Sequence, residues 1–341
     1  MKNFLLQLAD QKSFTEDQMK EAVQELLHGD ISESEIAAFL MGLKSKGETV
    51  EEIAGIVRAL MENTIPFKNK YPNVLDNCGT GGDGSSSFNI STTSAFVIAG
   101  AGIPVAKHGN RSISSKTGSA DVLEFLGIAL NLPTEKTEEI LLEIGVAFLF
   151  APHVHPKLKK VMTVRKQLKI PTIFNYIGPF INPIDLDYQL LGVYRRDMLM
   201  PFAEVLRTLG RKRATVINGA GYMDEASLQG ENHLAFLDKG QITIRTLFPE
   251  EIGLPQYENN SIKGGDAKEN AEILVQVLKG EKGAYRDTVL LNAGIGIYTA
   301  NKAESIEDGV KVARESIDSG IAYEKLRKLI EKSRLVKREA I

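Results

Sequence analysis

Cysteine is almost missing from this 341-residue chain. Cys78 stands alone, which excludes an internal disulfide and a zinc site built on cysteines. Proline is sparse at 12 residues, while 43% apolar and 25% charged residues describe an ordinary globular composition and exclude extended disorder and fibrous classes. No excess of positive charge is present: 41 Lys plus Arg stand against 44 Asp plus Glu, a net charge of −3, so the global basic field of a dedicated nucleic-acid binder is missing. The longest nearly unbroken apolar run, residues 95–106, is interrupted by Gly100, Gly102 and Pro104 and falls short of the ~20 residues a membrane span needs. Residues 1–10 carry too short an apolar stretch for a secretory signal. The expectation is a cytoplasmic protein with neither membrane nor nucleic acid as partner.

What the chain does have changes character near residue 69. The first 66 residues carry three capping-box patterns, Thr15 with Gln18, Ser32 with Glu35 and Thr49 with Glu52. Each sets a hydroxyl three residues before a Glu or Gln that can reach back. Apolar residues at helical spacing follow, as in Ile36, Phe39, Leu40 and Leu43, with Gly47 as a stop. Beyond the Lys68-Asn69-Lys70-Tyr71-Pro72 run, short apolar segments at 74–75, 103–106, 146–150, 190–193 and 215–217 alternate with helical stretches at 91–101, 119–127, 135–144 and 197–209. This alternation predicts an α/β architecture with a mostly parallel central sheet. A strand pair is expected around Asp238-Lys239-Gly240, and helices from about 266 onward. The predicted organisation is a small all-helical domain over 1–68, joined by about 156–183, and a larger α/β domain over 69–155 and 184–341.

The strongest local signal is Asp76-Asn77-Cys78-Gly79-Thr80-Gly81-Gly82-Asp83-Gly84. It follows a predicted strand, where open α/β sheets bind ligands. Four glycines in six residues let the backbone approach a ligand closely and turn its N–H groups toward an anion. Gly79, Gly81 and Gly84 match G-x-G-x-x-G, but a dinucleotide site wants an acid about 20 residues on. From Gly84 through Ala120 there is no Asp or Glu, only Lys107, Arg111, Lys116 and twelve Ser or Thr residues. The dinucleotide reading fails, and no P-loop pattern exists. The stretch suits a highly anionic phosphate ligand. Asn89-Ile90-Ser91-Thr92 opens a helix whose free N–H groups favour phosphate, Lys107 adds a point charge, and Arg111, Ser112, Ser114 and Ser115 offer further donors.

At these residues the sequence resembles the anthranilate phosphoribosyltransferases, which join anthranilate to phosphoribosyl pyrophosphate (PRPP) in tryptophan biosynthesis. The resemblance rests on GTGGDG at 79–84, FNIST at 88–92, KHGNRSISSKTGSADVLEFLG at 107–127, FLFAP at 148–152, VRKQLKIPTIFNYIGPFINP at 164–183, MDE at 223–225 and VLLNAGIGIY at 289–298. It implies a helical domain plus an α/β domain, and a homodimer through the helical parts. It also implies transfer of the phosphoribosyl group of PRPP to the amine of anthranilate, giving N-(5-phosphoribosyl)anthranilate and pyrophosphate with Mg²⁺ as cofactor. Carried over by position, PRPP falls to Gly79, Gly82, Asp83, Ser87, Asn89, Ile90, Ser91, Thr92, Lys107, His108, Gly109, Asn110, Arg111, Ser112, Ser114, Ser115 and Ser119. Lys107 acts there by electrostatic stabilisation, with no general base assigned. Magnesium falls to Ser91, Asp224 and Glu225, and anthranilate to Gly79, Asn110, Arg165 and His155. Two positions depart from the family pattern: Ser87 replaces a commoner Thr and keeps the hydroxyl, and Asn218 stands where His is common.

Outside the glycine loop, His153-x-His155 lacks a third ligand for a metal and is read as positioning a loop beside the aromatic substrate. Cys78 is read as a small apolar filler, and most of the basic run from Lys157 to Lys169 as solvated or oligomer-facing, with Arg165 singled out. Two rival readings fit less well. A pyrimidine nucleoside phosphorylase would share the fold and a related glycine loop, but KHGNRS fits it poorly. A non-catalytic nucleic-acid binder would lose the Asp-Glu pair and gain basic surface, and this chain does neither.

Overall fold

The computed structural model describes residues 1–112 and 116–339. Four helices open the chain: α1 (Lys2–Ala9), α2 (Glu16–His28), α3 (Glu33–Lys46) and α4 (Val50–Met61). All three expected capping boxes close, with reciprocal side-chain to backbone bonds at Thr15/Gln18, Ser32/Glu35 and Thr49/Glu52. Acidic residues in the first turns of α2, α3 and α4 complement the positive dipole ends. Glu52 also reaches beyond its own helix. Its carboxylate accepts from the Phe14 N–H at 2.9 Å and pairs with Lys46 at 2.8 Å in the bundle interior, so the charge is buried with its partners.

The rest of the chain winds around one seven-stranded sheet in the order β3-β2-β1-β4-β5-β6-β7. The strands are β1 (Leu75–Asp76), β2 (Val105–Gly109), β3 (Val146–Phe150), β4 (Tyr188–Gly192), β5 (Arg213–Asn218), β6 (Asn232–Asp238) and β7 (Gln241–Leu247). β1 to β5 pair in parallel, whereas β6 and β7 form an antiparallel hairpin on the edge. The mostly parallel sheet and its edge strand pair therefore match expectation. The connecting helices are α5 (Ile90–Gly100), α6 (Ser119–Phe125), α7 (Thr134–Ile144), α8 (Ala151–Val154), α9 (Lys159–Leu168), α10 (Leu199–Thr208), α11 (Ala267–Leu278), α12 (Ala284–Thr299), α13 (Ile306–Asp318) and α14 (Ile321–Glu339). Among the described residues no helix is long and apolar enough to cross a membrane.

Two hydrophobic clusters hold the molecule together. The larger one packs α5, α7 and α11–α14 on the sheet. The second joins α1–α4 to Val161 and Val164 of α9, to Ile173, Tyr176, Ile177, Phe180 and Ile181 of the following turns, and to α10 and side chains of β4–β6. The 156–183 segment thus shares its apolar contacts with the N-terminal helices. From β1 the chain winds outward through β2 and β3, then returns to the other side of β1 as β4. That reversal makes a switch point between β1 and β4, where an open α/β sheet leaves a crevice beyond its strand ends.

Candidate active site at the sheet switch point

The glycine loop leaves β1 into this crevice. β1 ends at Asp76, and Asn77 fastens the exit by donating its side-chain N–H to the Ser91 carbonyl at 2.7 Å. The Thr80 N–H donates to the Gly192 carbonyl at the end of β4, at 2.9 Å, which ties the loop across the switch point. Gly81, Gly82 and Gly84 all take positive φ, 67°, 82° and 72°, a region that favours glycine. Asn89 precedes α5 but makes no side-chain cap, and the first turn of α5 holds no acid. The Asn89 side chain is engaged elsewhere: its Oδ1 accepts from Asn270 at 2.9 Å. Ser87 sits on the same rim, bridged to Lys263. The Thr92 hydroxyl oxygen is buried without a hydrogen-bond partner.

Asp224 and Glu225 enter from β5's side on a loop seated on glycines. A Cβ at Gly192 or Gly219 would overlap the backbone carbonyl of Asp224 or Glu225 respectively, and a Cβ at Gly79 would stand 2.5 Å from Asp224 Oδ2. The Gly81 N–H donates to that same oxygen at 2.6 Å. Burial, then the neighbouring charges of Asp83 and Glu225, push the Asp224 carboxyl well above the usual range, against the Gly81 N–H. Burial likewise raises Glu225 to about 7, held down by Lys107 and by Ser91's hydroxyl and N–H, with Asp83 adding to the rise. Asp83 has one carboxylate oxygen bound to Ser85 at 3.0 Å and the other buried without a partner.

Among the described residues no three His, Cys, Asp or Glu side chains stand close enough to hold a metal by themselves. The donor set still fits magnesium. That ion is commonly held by one or two carboxylates and completed by water and substrate phosphates. Crowded acids around buried Asp224, and an orphaned Asp83 carboxylate oxygen, are what a divalent cation would relieve.

Lys107 lies on β2 with 3% of its surface exposed, its ammonium 3.3 Å from the Asn77 carbonyl. Behind it Asp76 is fully buried. Its carboxylate accepts from the His108 N–H at 3.3 Å and from Asn182 at 2.9 Å. Burial raises Asp76 to about 6, while Lys107 pulls it back. A buried carboxyl thus supports a buried ammonium that faces the crevice end of the strands. Cys78 is likewise driven up by burial and by Asp76, consistent with an unreactive thiol.

Arg165 lies on α9. It donates to Asn175 Oδ1 and Met162 Sδ, both at 3.1 Å, and stands 5.6 Å from the Phe174 ring centroid. Burial lowers it to about 10. His108 and His155 pack edge to face with centroids 5.4 Å apart. His108 Nδ1 meets the Gly178 carbonyl at 2.9 Å and His155 Nε2 the Ile181 carbonyl at 2.7 Å. Each of those nitrogens therefore carries a proton, leaving His108 Nε2 as a buried bare acceptor. Burial, then His155 and Lys107, lower His108 to about 3, and burial lowers His155 to about 4, so both rings are neutral at pH 7. His153 is bound to the Leu132 carbonyl at 3.0 Å.

Not every residue singled out in the sequence points the same way. Arg111 pairs with Asp121 and Glu124, each at 2.8 Å, so its charge is engaged within its own segment. Ser112 donates its N–H to Asp121 at 3.3 Å, and the Ser119 hydroxyl donates to the Asn110 carbonyl at 3.2 Å. A Cβ at Gly109 would overlap Ser119 and press on Phe148, which keeps this loop close to the sheet. Ser114 and Ser115 lie outside the described residues. Asn218, the departure from the family pattern, donates to the Val193 and Tyr194 carbonyls at 2.8 and 3.1 Å and accepts from Arg196 at 3.0 Å. It holds β5 to the chain leaving β4. Sequence reasoning missed the roles of Asn77, Asn182, Gly192 and Gly219. Only the two glycines at strand ends carried a local signal.

Residues 2–64 match a glycosyl transferase family helical bundle domain, and residues 71–323 the a/b domain of that family. A curated anthranilate phosphoribosyltransferase of Bacillus cereus strain B4264 is 55% identical over 330 residues, 97% of each chain. The crystal structure of the anthranilate phosphoribosyltransferase from Thermus thermophilus superposes with a TM-score of 0.92 at 40% identity, over 97% of this chain and 99% of that one. The Saccharomyces cerevisiae anthranilate phosphoribosyltransferase in complex with PRPP and Mg gives 0.89 at 25% identity over 97% of each. The chain belongs to the anthranilate phosphoribosyltransferases, within this glycosyl transferase family.

Proposed function

We propose that the chain transfers the 5-phosphoribosyl group of PRPP to the amine of anthranilate, a step of tryptophan biosynthesis. The nitrogen–C1′ bond forms as the C1′–oxygen bond to pyrophosphate breaks, the oxygen keeping the electron pair and the amine releasing one proton. The observation that carries this reading is the meeting of the glycine loop, the acid-free start of α5 and buried Lys107 with Asp224 and Glu225 at one switch point. Loop amides and an uncapped helix start suit the many phosphate oxygens of PRPP. In this reading Gly79, Gly82, Asp83, Ser87, the 89–92 segment and the 107–119 loop hold PRPP. Lys107 stabilises charge on the departing pyrophosphate. When bound by Ser91, Asp224 and Glu225, Mg²⁺ supplies positive charge against the same leaving group. Gly79, Asn110, Arg165 and His155 face anthranilate, with Arg165 reading its carboxylate through a fork of parallel donors. The aromatic amine is already neutral at pH 7, so positioning rather than a strong base supplies the catalysis.

The same reading divides the chain into a helical domain, 1–68 joined by 156–183, and an α/β domain over 69–155 and 184–341. It makes the protein a cytoplasmic homodimer. Exposed Leu6 on α1 and Met41 on α3 support a contact through the helical parts. The test of the activity is anthranilate fluorescence followed with PRPP and Mg²⁺. Loss of the signal only when all three are present supports the reading; an unchanged signal with folded protein rejects it.

A further inference from the structure

The Arg165 guanidinium is held without an acid. Its hydrogen-bond partners are an amide oxygen and a thioether sulfur, its flat neighbour is the Phe174 ring, and among the described residues no carboxylate pairs with it. Burial lowers it to about 10, as expected of a desolvated cation whose counter-charge is left to a ligand. The partner that fixes its direction is Asn175. Oδ1 of Asn175 also accepts the Thr172 backbone N–H at 2.9 Å. Both neighbours are donors, so the oxygen must face them. By that bond the Asn175 side chain ties down the start of the short turn at Ile173–Asn175, five residues after the end of α9. A backbone-anchored turn thereby sets a neutral acceptor behind the guanidinium.

We propose that Asn175 is a positioning residue for substrate recognition: it orients Arg165 while leaving the arginine's charge free for the substrate carboxylate. This rests on the carboxylate-reading role given to Arg165 above. The neutrality of the amide is the essential feature. An aspartate would accept the same two N–H groups and cap the turn as well, yet its charge would pair with the guanidinium and compete with the ligand. A residue that only capped the turn would tolerate that exchange.

Three variants separate these roles: Asn175→Asp, Asn175→Ser and Arg165→Ala. Each is assayed with anthranilate and with 2-aminobenzamide, its uncharged amide counterpart, and its melting is recorded. Asn175→Asp is expected to melt with the parent and to raise the KM for anthranilate about 10- to 100-fold, the scale of one charge-assisted contact. The KM for PRPP stays put, and the preference for anthranilate over the amide collapses. Asn175→Ser, neutral but too short to reach both donors, is expected to raise the anthranilate KM several-fold and keep the preference. If Asn175→Asp keeps the parent's anthranilate KM and preference while Arg165→Ala loses them, Asn175 is only a turn cap and the proposal is overturned. Should Asn175→Asp fail to fold, a parental KM in Asn175→Ser overturns it equally. If Arg165→Ala itself leaves the anthranilate KM unchanged, the carboxylate-reading role falls, and the proposal with it.

Discussion

The backbone N–H of Gly81 donates to the carboxylate of Asp224 at 2.6 Å, joining residues 143 apart in the chain. This one bond fastens the glycine loop to the acidic loop. The room for it comes from the missing side chain at Gly79, where a Cβ would lie 2.5 Å from the same oxygen and 3.0 Å from the Asp224 carbonyl. Gly79→Val should therefore displace Asp224 and abolish PRPP binding in calorimetry with Mg²⁺ present, while the protein still unfolds cooperatively. Unchanged PRPP affinity removes the loop from the site.

Neutralising the acidic pair separates charge from shape. Asp224→Asn together with Glu225→Gln keeps an oxygen for the Gly81 N–H but removes two adjacent carboxyls, one buried and one half-buried. Because desolvation and neighbouring carboxylates, Asp83 on both, disfavour the two charges in the native state, the double variant should melt no lower than the parent without Mg²⁺. Its turnover should fall sharply and lose its dependence on Mg²⁺. Parental turnover at every Mg²⁺ concentration identifies the pair as ordinary structural carboxyls.

Much of this was legible from local sequence. The three capping boxes work because a hydroxyl and a Glu or Gln three residues apart need only the helix between them. The glycine loop was readable for the same reason: its glycines and the acid-free run after it are contiguous. What stayed hidden depends on segments far apart in the chain. Asn182 reaches Asp76 from 106 residues away, and Gly192 and Gly219 matter only because the 224–225 loop lies against them. The pairing of Arg111 with Asp121 and Glu124 on the next helix was likewise not read from composition.

In the proposed transfer Lys107 serves the leaving group. Lys107→Met keeps the side chain's length and removes its charge. Turnover should drop by roughly 100- to 1,000-fold, the loss seen when one stabilising donor is removed from a transition state. The anthranilate KM should change little. A variant retaining more than about a third of parental kcat, far above that range, would show that the ammonium serves packing alone.

Asp76 predicts a pH signature. Its folded-state carboxyl is raised from 3.8 to about 6 by burial, so between these values the native state holds a proton that the unfolded chain gives up. Stability contributed by this group is therefore present at low pH and is lost as pH rises through that window. The difference in unfolding free energy between Asp76→Asn and the parent should shift in the variant's favour from about pH 4 to about pH 6, by at most roughly 3 kcal/mol, and level off above. A difference that is flat with pH would contradict the raised carboxyl.

Arg165→Ala should raise the anthranilate KM about 10- to 150-fold, matching the loss of one charge-assisted contact, with the PRPP KM nearly constant. Steady-state kinetics with each substrate varied in turn makes the distinction. A parallel rise in both constants assigns Arg165 to general site architecture.

The most direct measurement is product analysis of the purified protein with equimolar PRPP and anthranilate plus Mg²⁺, set beside a reaction containing uridine and inorganic phosphate. The expected result is one N-(5-phosphoribosyl)anthranilate and one pyrophosphate for each anthranilate consumed, with uridine untouched. Phosphorolysis of uridine with anthranilate left intact would contradict the proposed transfer.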